Sequence, residues 1–139
     1  MSRGPVLHAG SCHCGAIAVT FESALPLRPR ACQCSFCRMH DARSVSDPDG
    51  AATITAAVEP LVYRFASRAA DYLLCPVCGV YVGAATGSDA RLATLNLNAF
   101  DDPHRDLPVE PVSYDSESAE EKAARRRARW TPLRFSFSG

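Results

Sequence analysis

Seven cysteines in three groups constrain this chain more than any other feature of its sequence: Cys12 and Cys14 in "CHC", Cys32, Cys34 and Cys37 in "CQCSFC", and Cys75 and Cys78 in "CPVC". The opening "MSRGPVLHAGSCHCG" has no apolar run of signal-peptide length. Nowhere do about 18 uninterrupted apolar residues offer a membrane span. The expected location is therefore cytoplasmic, where reduction disfavours structural disulfides, and an odd number of thiols cannot pair internally without a remainder. Metal ligation is the reading that uses all seven.

A structural zinc takes a closed tetrahedron of four ligands, whereas a reactive zinc keeps three protein ligands and leaves one position open. Seven thiols divide naturally into four and three. In "CPVCG" two residues between the thiolates let the backbone turn around a metal, and Gly79 admits a conformation closed to residues with a Cβ. The second pair of that tetrahedron is either Cys12 and Cys14, leaving Cys32, Cys34 and Cys37 as an open site, or Cys34 and Cys37, stranding the other three. Local geometry favours the first division, because C-x-C-x-x-C can wrap one ion without outside help. His40, three residues after Cys37, is a possible fourth ligand that would close the second site as Cys₃His. His13 lies between two ligands and should point away from their metal. His8 and His104 have no partner pattern.

A length of 139 residues fits one domain over residues 1–139. Zero formal net charge and 47% hydrophobic residues exclude a disordered charged tail and the basic excess of a general nucleic-acid binder. In "GAIAVTFE" the residues Ile17, Val19 and Phe21 share one face, which reads as a strand leaving the first cysteine pair; "ALPLRPR" breaks it. Asp47-Pro48 and Asp49-Gly50 signal turns before two more extended stretches, "AATITAAV" and "LVYRFA". "GVYVGAA" and the alternating "RLATLNLNAF" continue the strand pattern, so the centre of the chain is expected to be mostly β.

In "SAEEKAARRRARW" Ser118 and Glu121 match a capping box, and Glu121 lies four residues before Arg125. A short exposed helix is expected from about Ser118, stopped by Pro132 and followed by a final strand in "LRFSFS". Its arginines are balanced by Glu117, Glu120 and Glu121, so residues 116–130 are expected to be a peripheral basic helix with a solvated face rather than a nucleic-acid contact.

The ordered trio "GSCHCGAIAVTFE", "CQCSFCR" and "LCPVCGVYVG", with "LNAFDDP" after it, resembles the glutathione-dependent formaldehyde-activating enzyme family, the group that also contains centromere protein V. The resemblance covers roughly residues 10–103. It implies a mainly β fold, a small zinc-binding Mss4-like (β-tent) architecture of packed antiparallel sheets with a short C-terminal helix. It also implies two zinc ions per chain, a structural one on Cys12, Cys14, Cys75 and Cys78 and a catalytic one on Cys32, Cys34 and Cys37. The implied partners are a small glutathione-like thiol and an aldehyde; the charge balance and the lack of a long apolar run argue against nucleic acid and membrane. The implied activity is that of a carbon-sulfur lyase acting on a thiol-aldehyde adduct such as S-hydroxymethylglutathione.

Arg38 and Arg43 flank the triad and are candidate substrate-binding residues that could fork onto glutathione carboxylates. The sequence departs from the usual family pattern after Arg38, where "MHDARSVSDPDG" is polar and rich in turns. The alternative function is a non-catalytic zinc scaffold that binds a protein or nucleic acid, and closure of the second site by His40 would favour it.

Overall fold

The computed structural model describes residues 4–87 and 91–138. Eleven strands, β1 (Val6–Ser11), β2 (Ile17–Ser23), β3 (Arg30–Cys32), β4 (Ser44–Val45), β5 (Ala51–Ala56), β6 (Leu61–Tyr63), β7 (Ala70–Leu74), β8 (Tyr81–Thr86), β9 (Leu92–Asn96), β10 (Glu110–Val112) and β11 (Thr131–Phe137), dominate it. Two α-helices, α1 (Ser35–Met39) and α2 (Ala119–Arg129), and a 3₁₀ turn over Leu97–Ala99 complete it. The fold is mainly β, as the sequence implies. None of the described helices is long and apolar enough to cross a membrane.

The chain builds two sheet regions that meet at β11. One runs β1-β2-β5-β11, and its β2 buries Ile17, Val19 and Phe21 while Ala18 and Glu22 face solvent, the alternation its sequence requires. In the other, one edge of β9 is shared by β11 and β4 while β8 takes the opposite edge, carrying β7 and β6 beyond it. β4 passes the sheet on to β3 and β10. Thr131 and Pro132 pair with β9, and Leu133–Phe137 pair with β5, so a single strand ties the halves together. Two pairs, β11 with β5 and β10 with β3, are parallel, an arrangement absent from the antiparallel expectation.

The main core lies between these regions, with Ile17, Val19, Ile54, Val82, Leu95 and Leu97 essentially inaccessible. β8 is covered on both faces, which accounts for its small residues: a Cβ at Gly83 would meet the Thr94 carbonyl at 2.8 Å and the Leu95 side chain at 3.1 Å. At Gly10 a Cβ would collide with the backbone of Ala99 and Phe100, where β1 bridges to the segment after β9. The Asp47 turn is a buried polar latch. Its carboxylate accepts from Ser23 Oγ and from Asp49 N–H, and its own N–H donates to Thr131 Oγ1 at 2.8 Å, joining three segments.

The capping box is present at Ser118 and Glu121, and α2 ends at Arg129 before Thr131 begins the final strand. The helix is not wholly solvated, however. Arg126 and the C-cap residue Trp130 are buried, so this segment packs on the body of the protein rather than lying at its periphery. The Arg126 guanidinium lies 5.0 Å from the Trp130 ring, and its aliphatic stem can be buried with that ring.

Candidate metal centres and the cavity beside them

Both halves of the first centre are built the same way. Cys12 and Cys14 occupy the turn between β1 and β2, and Cys75 and Cys78 the turn between β7 and β8. Each turn closes with a backbone bond from the glycine after the second cysteine to the carbonyl of the first, Gly15 to Cys12 at 3.1 Å and Gly79 to Cys75 at 2.8 Å. Both glycines have φ above +80°, the left-handed region that the sequence anticipates at Gly79. Backbone N–H groups point at the sulfurs, from Ile17 to Cys12 Sγ and from Val77 and Cys78 to Cys75 Sγ.

The four sulfurs all lie within 4.8 Å of one another, with Cys12–Cys14 at 3.7 Å and Cys14–Cys75 at 3.6 Å. A zinc tetrahedron with bonds of about 2.3 Å has edges of about 3.8 Å, so the thiols are already placed for the ion. Cys12 and Cys75 are buried in the main core, Cys78 is half-buried and Cys14 is exposed. His13 is exposed and takes no part in the cluster.

The second cluster contains Cys32, Cys34 and Cys37, again within 4.8 Å of one another. Cys32 ends β3, Cys34 caps the N-terminus of α1 and Cys37 lies in its last turn. The C-x-x-C spacing works because the Cys34 sulfur accepts the Cys37 N–H at 3.4 Å, as an N-cap side chain does. Mutual hydrogen bonding divides the three protons unequally. Donation from Cys32 and then Cys37 stabilises the Cys34 thiolate and takes its pKa down to about 2, while contact with Cys32, then with Cys34, and burial push Cys37 far up. Three clustered thiols of this kind are a donor set suited to a soft dication.

No histidine or carboxylate joins this triad among the described residues. His40 caps the C-terminus of α1 and packs its ring on Phe36 at 4.5 Å and on Tyr81 at 5.6 Å between centroids. It is a packing residue in an aromatic group that also includes Tyr72, 4.9 Å from Phe36.

Arg43 is also turned to a structural task. It is buried, its Nε donates to Asn98 Oδ1 at 2.7 Å, and its two terminal nitrogens donate to the carbonyls of Pro103 and His104. Its guanidinium therefore anchors the 98–104 loop and is not free to clamp a carboxylate. Arg38 is exposed on α1 and lines no part of the cavity beside the triad. Asn96, which the sequence shows only as one step of an alternation, holds this region together. It accepts from the N–H groups of Arg43 and Asn98 and donates to the Tyr81 carbonyl at 2.9 Å, linking the triad loop to β8.

A cavity of about 50 Å³ opens beside the triad, lined by Cys32, Cys37, Tyr72 and Tyr81 and by Arg125, Arg126 and Trp130 of α2 and its cap. Burial, reinforced by the neighbouring Cys37 and other thiols and opposed by Arg126, takes the Tyr72 phenol up to about 12. Sequence reading missed Tyr72, Arg126 and Trp130 here, because nothing in their spacing relates them to the cysteines.

The family model described as glutathione-dependent formaldehyde-activating enzyme matches residues 7–115. A crystal structure of a Rhodobacter sphaeroides protein is similar to this one at a TM-score of 0.58 and 27% sequence identity, over 76% of this chain and 99% of that one. The family match ends before α2 begins.

Proposed function

The chain belongs to the glutathione-dependent formaldehyde-activating enzyme family, and from that premise we propose that it is a zinc-dependent carbon-sulfur lyase joining glutathione and formaldehyde into S-hydroxymethylglutathione, or cleaving that adduct. One observation carries the reading: three thiols converge beside a cavity with no fourth protein ligand among the described residues, whereas four converge at the other centre. The two centres fit a division of labour between a closed structural zinc and an open catalytic one. Cys12, Cys14, Cys75 and Cys78 would hold the first, and Cys32, Cys34 and Cys37 the second.

A zinc held by three thiolates carries a net negative charge, so the chemistry it supplies is affinity for a soft thiolate rather than strong Lewis acidity. The protein's own groups do the rest. Cys32 and Cys37 form the cavity wall against which the substrate sulfur rests, and Phe36, Tyr72 and Tyr81 pack around the triad and limit water there. Bringing thiol and aldehyde into one small space replaces a bimolecular encounter with an oriented one. In the forward direction the sulfur forms a bond to the aldehyde carbon and the carbonyl electron pair moves to oxygen. The proton given up by the thiol is balanced by the one that oxygen takes. Tyr72 offers a hydroxyl donor to that oxygen as charge develops.

Exchange spectroscopy by NMR on an equilibrium mixture of glutathione, formaldehyde and S-hydroxymethylglutathione measures this activity directly. The zinc-loaded protein is expected to raise the exchange rate in proportion to its concentration. An exchange rate equal to that of the protein-free mixture, with two zinc ions bound per chain, would refute the assignment.

A further inference from the structure

The cavity beside the triad has unlike walls. Besides the thiols it is lined by Arg125, Arg126 and Trp130 from α2 and its cap and by Arg30, which shares β3 with Cys32, and no aspartate or glutamate lines the space. Arg126 is only 7% exposed, and its Nε is a buried donor with no acceptor among the described residues. Leaving such a donor unpaired is costly, and a buried guanidinium without a carboxylate more so. Arg125 lies 3.5 Å over the Tyr114 ring, and its hydrogen bonds within the described residues engage only its Nε, with Glu117 at 3.0 and 3.1 Å. Its terminal nitrogens are thus available. Burial lowers the pKa of Arg126 and of Arg30, yet arginine begins so high that both remain cations at neutral pH. Arg125 is ion-paired with Glu117, whereas Arg126 and Arg30 have no ion pair among the described residues, so the space holds two unpaired cations and unused donors beside the thiol triad.

We propose that this wall is an anion subsite: Arg126, with Arg125 and Arg30, receives a carboxylate of the thiol substrate whose sulfur lies toward Cys32 and Cys37. The assignment rests on the lyase reading only for the identity of the sulfur compound. A volume of about 50 Å³ admits a carboxylate and the reacting end but no whole tripeptide, so the remainder of the substrate projects outward. The class selected is a thiol, or its aldehyde adduct, bearing a carboxylate within short reach of sulfur. Arg38 and Arg43, the sequence candidates for this role, give way to Arg125 and Arg126 of a helix outside the family-matched segment and to Arg30 within it. An opposing explanation is that Arg126 merely offsets the negative charge of the triad.

The test uses the zinc-loaded full chain and S-methylglutathione, which keeps both carboxylates but has no thiol, alongside its diethyl ester. Trp130 is the chain's one tryptophan, and its ring lies 5.0 Å from the Arg126 guanidinium, so its fluorescence reads the subsite without turnover. The acid is expected to change the emission saturably, with the ester weaker by about tenfold or more, the loss of one charge-assisted pair. Arg126→Gln should bring the acid to the affinity of the ester, Arg126→Lys should fall between, and zinc content should stay at the unaltered value in both. Equal binding of acid and ester, or no binding of the acid, overturns the subsite on the unaltered protein alone, whatever the fate of the variants. Zinc loss in Arg126→Gln that Arg126→Lys prevents also overturns it, because it marks a counter-charge. Acid-selective binding without glutathione-formaldehyde exchange refutes the lyase and upholds the subsite; exchange with indifferent binding does the reverse.

Discussion

Cys75→Ser is expected to abolish the folded state under conditions where the unaltered protein is stable. Cys75 is 1% exposed within the main core, and its turn joins β7 to β8 at the same centre that joins β1 to β2. Zinc binding in small zinc peptides is itself folding free energy of about 10–16 kcal/mol, as large as the whole stability of a typical domain at about 5–15 kcal/mol. Losing one ligand of a closed site gives up much of that and leaves a hydroxyl among apolar neighbours. Thermal unfolding with a parallel zinc assay checks it: the cooperative transition should vanish or fall steeply, with less than two zinc ions retained. A transition at the unaltered temperature with full zinc would show that the four-thiol centre does not hold the fold.

Cys34→Ser is expected to do the reverse, removing one zinc and the exchange activity while the fold survives. The triad lies in its own small cluster with Ala42 and Tyr81, apart from the main core, and Cys34 is only half-buried. Serine is a favoured N-cap, so its hydroxyl can accept the Cys37 N–H that the thiol accepts now, and α1 keeps its start. Zinc content should fall from two to one per chain and the exchange rate should return to that of the protein-free mixture. The thermal transition should persist as a cooperative one. Destabilisation as large as that of Cys75→Ser would mean the thiols are wrongly divided.

The two substitutions differ because the two centres differ in what they join, and that difference was only half legible in the sequence. Short-range signals were readable: the C-x-C and C-x-x-C turns, the inward face of Ile17, Val19 and Phe21, and the reciprocal cap of Ser118 and Glu121 each depend on residues a few positions apart. Features set by distant partners were not. β3, β4 and β10 are two or three residues long and exist only through their neighbours, and "ADYLL" becomes β7 because β6 and β8 flank it. The parallel pairing of β5 with β11 joins segments from opposite ends of the chain, which no local pattern encodes.

Side-chain roles were hidden for the same reason. Arg43 and Arg126 read alike as charged residues in polar stretches, yet the first is bonded to the 98–104 loop and the second is buried beside the thiols. What separates them is the fold around each, not the sequence next to it. His40 has ligand spacing in the sequence, but its ring packs on Phe36 and Tyr81 and lies outside the sulfur cluster.

Cobalt substitution tests the open triad most directly, because Co²⁺ reports its coordination in the visible spectrum. With both centres filled by Co²⁺, glutathione should alter the absorption saturably, and Cys34→Ser should abolish the response while the bands of the four-thiolate centre remain. The thiol loses a proton to bind, so apparent affinity should rise with pH until free glutathione is itself deprotonated. An unchanged spectrum on addition of glutathione, with two Co²⁺ ions bound per chain, would contradict an open site and with it the proposed reaction.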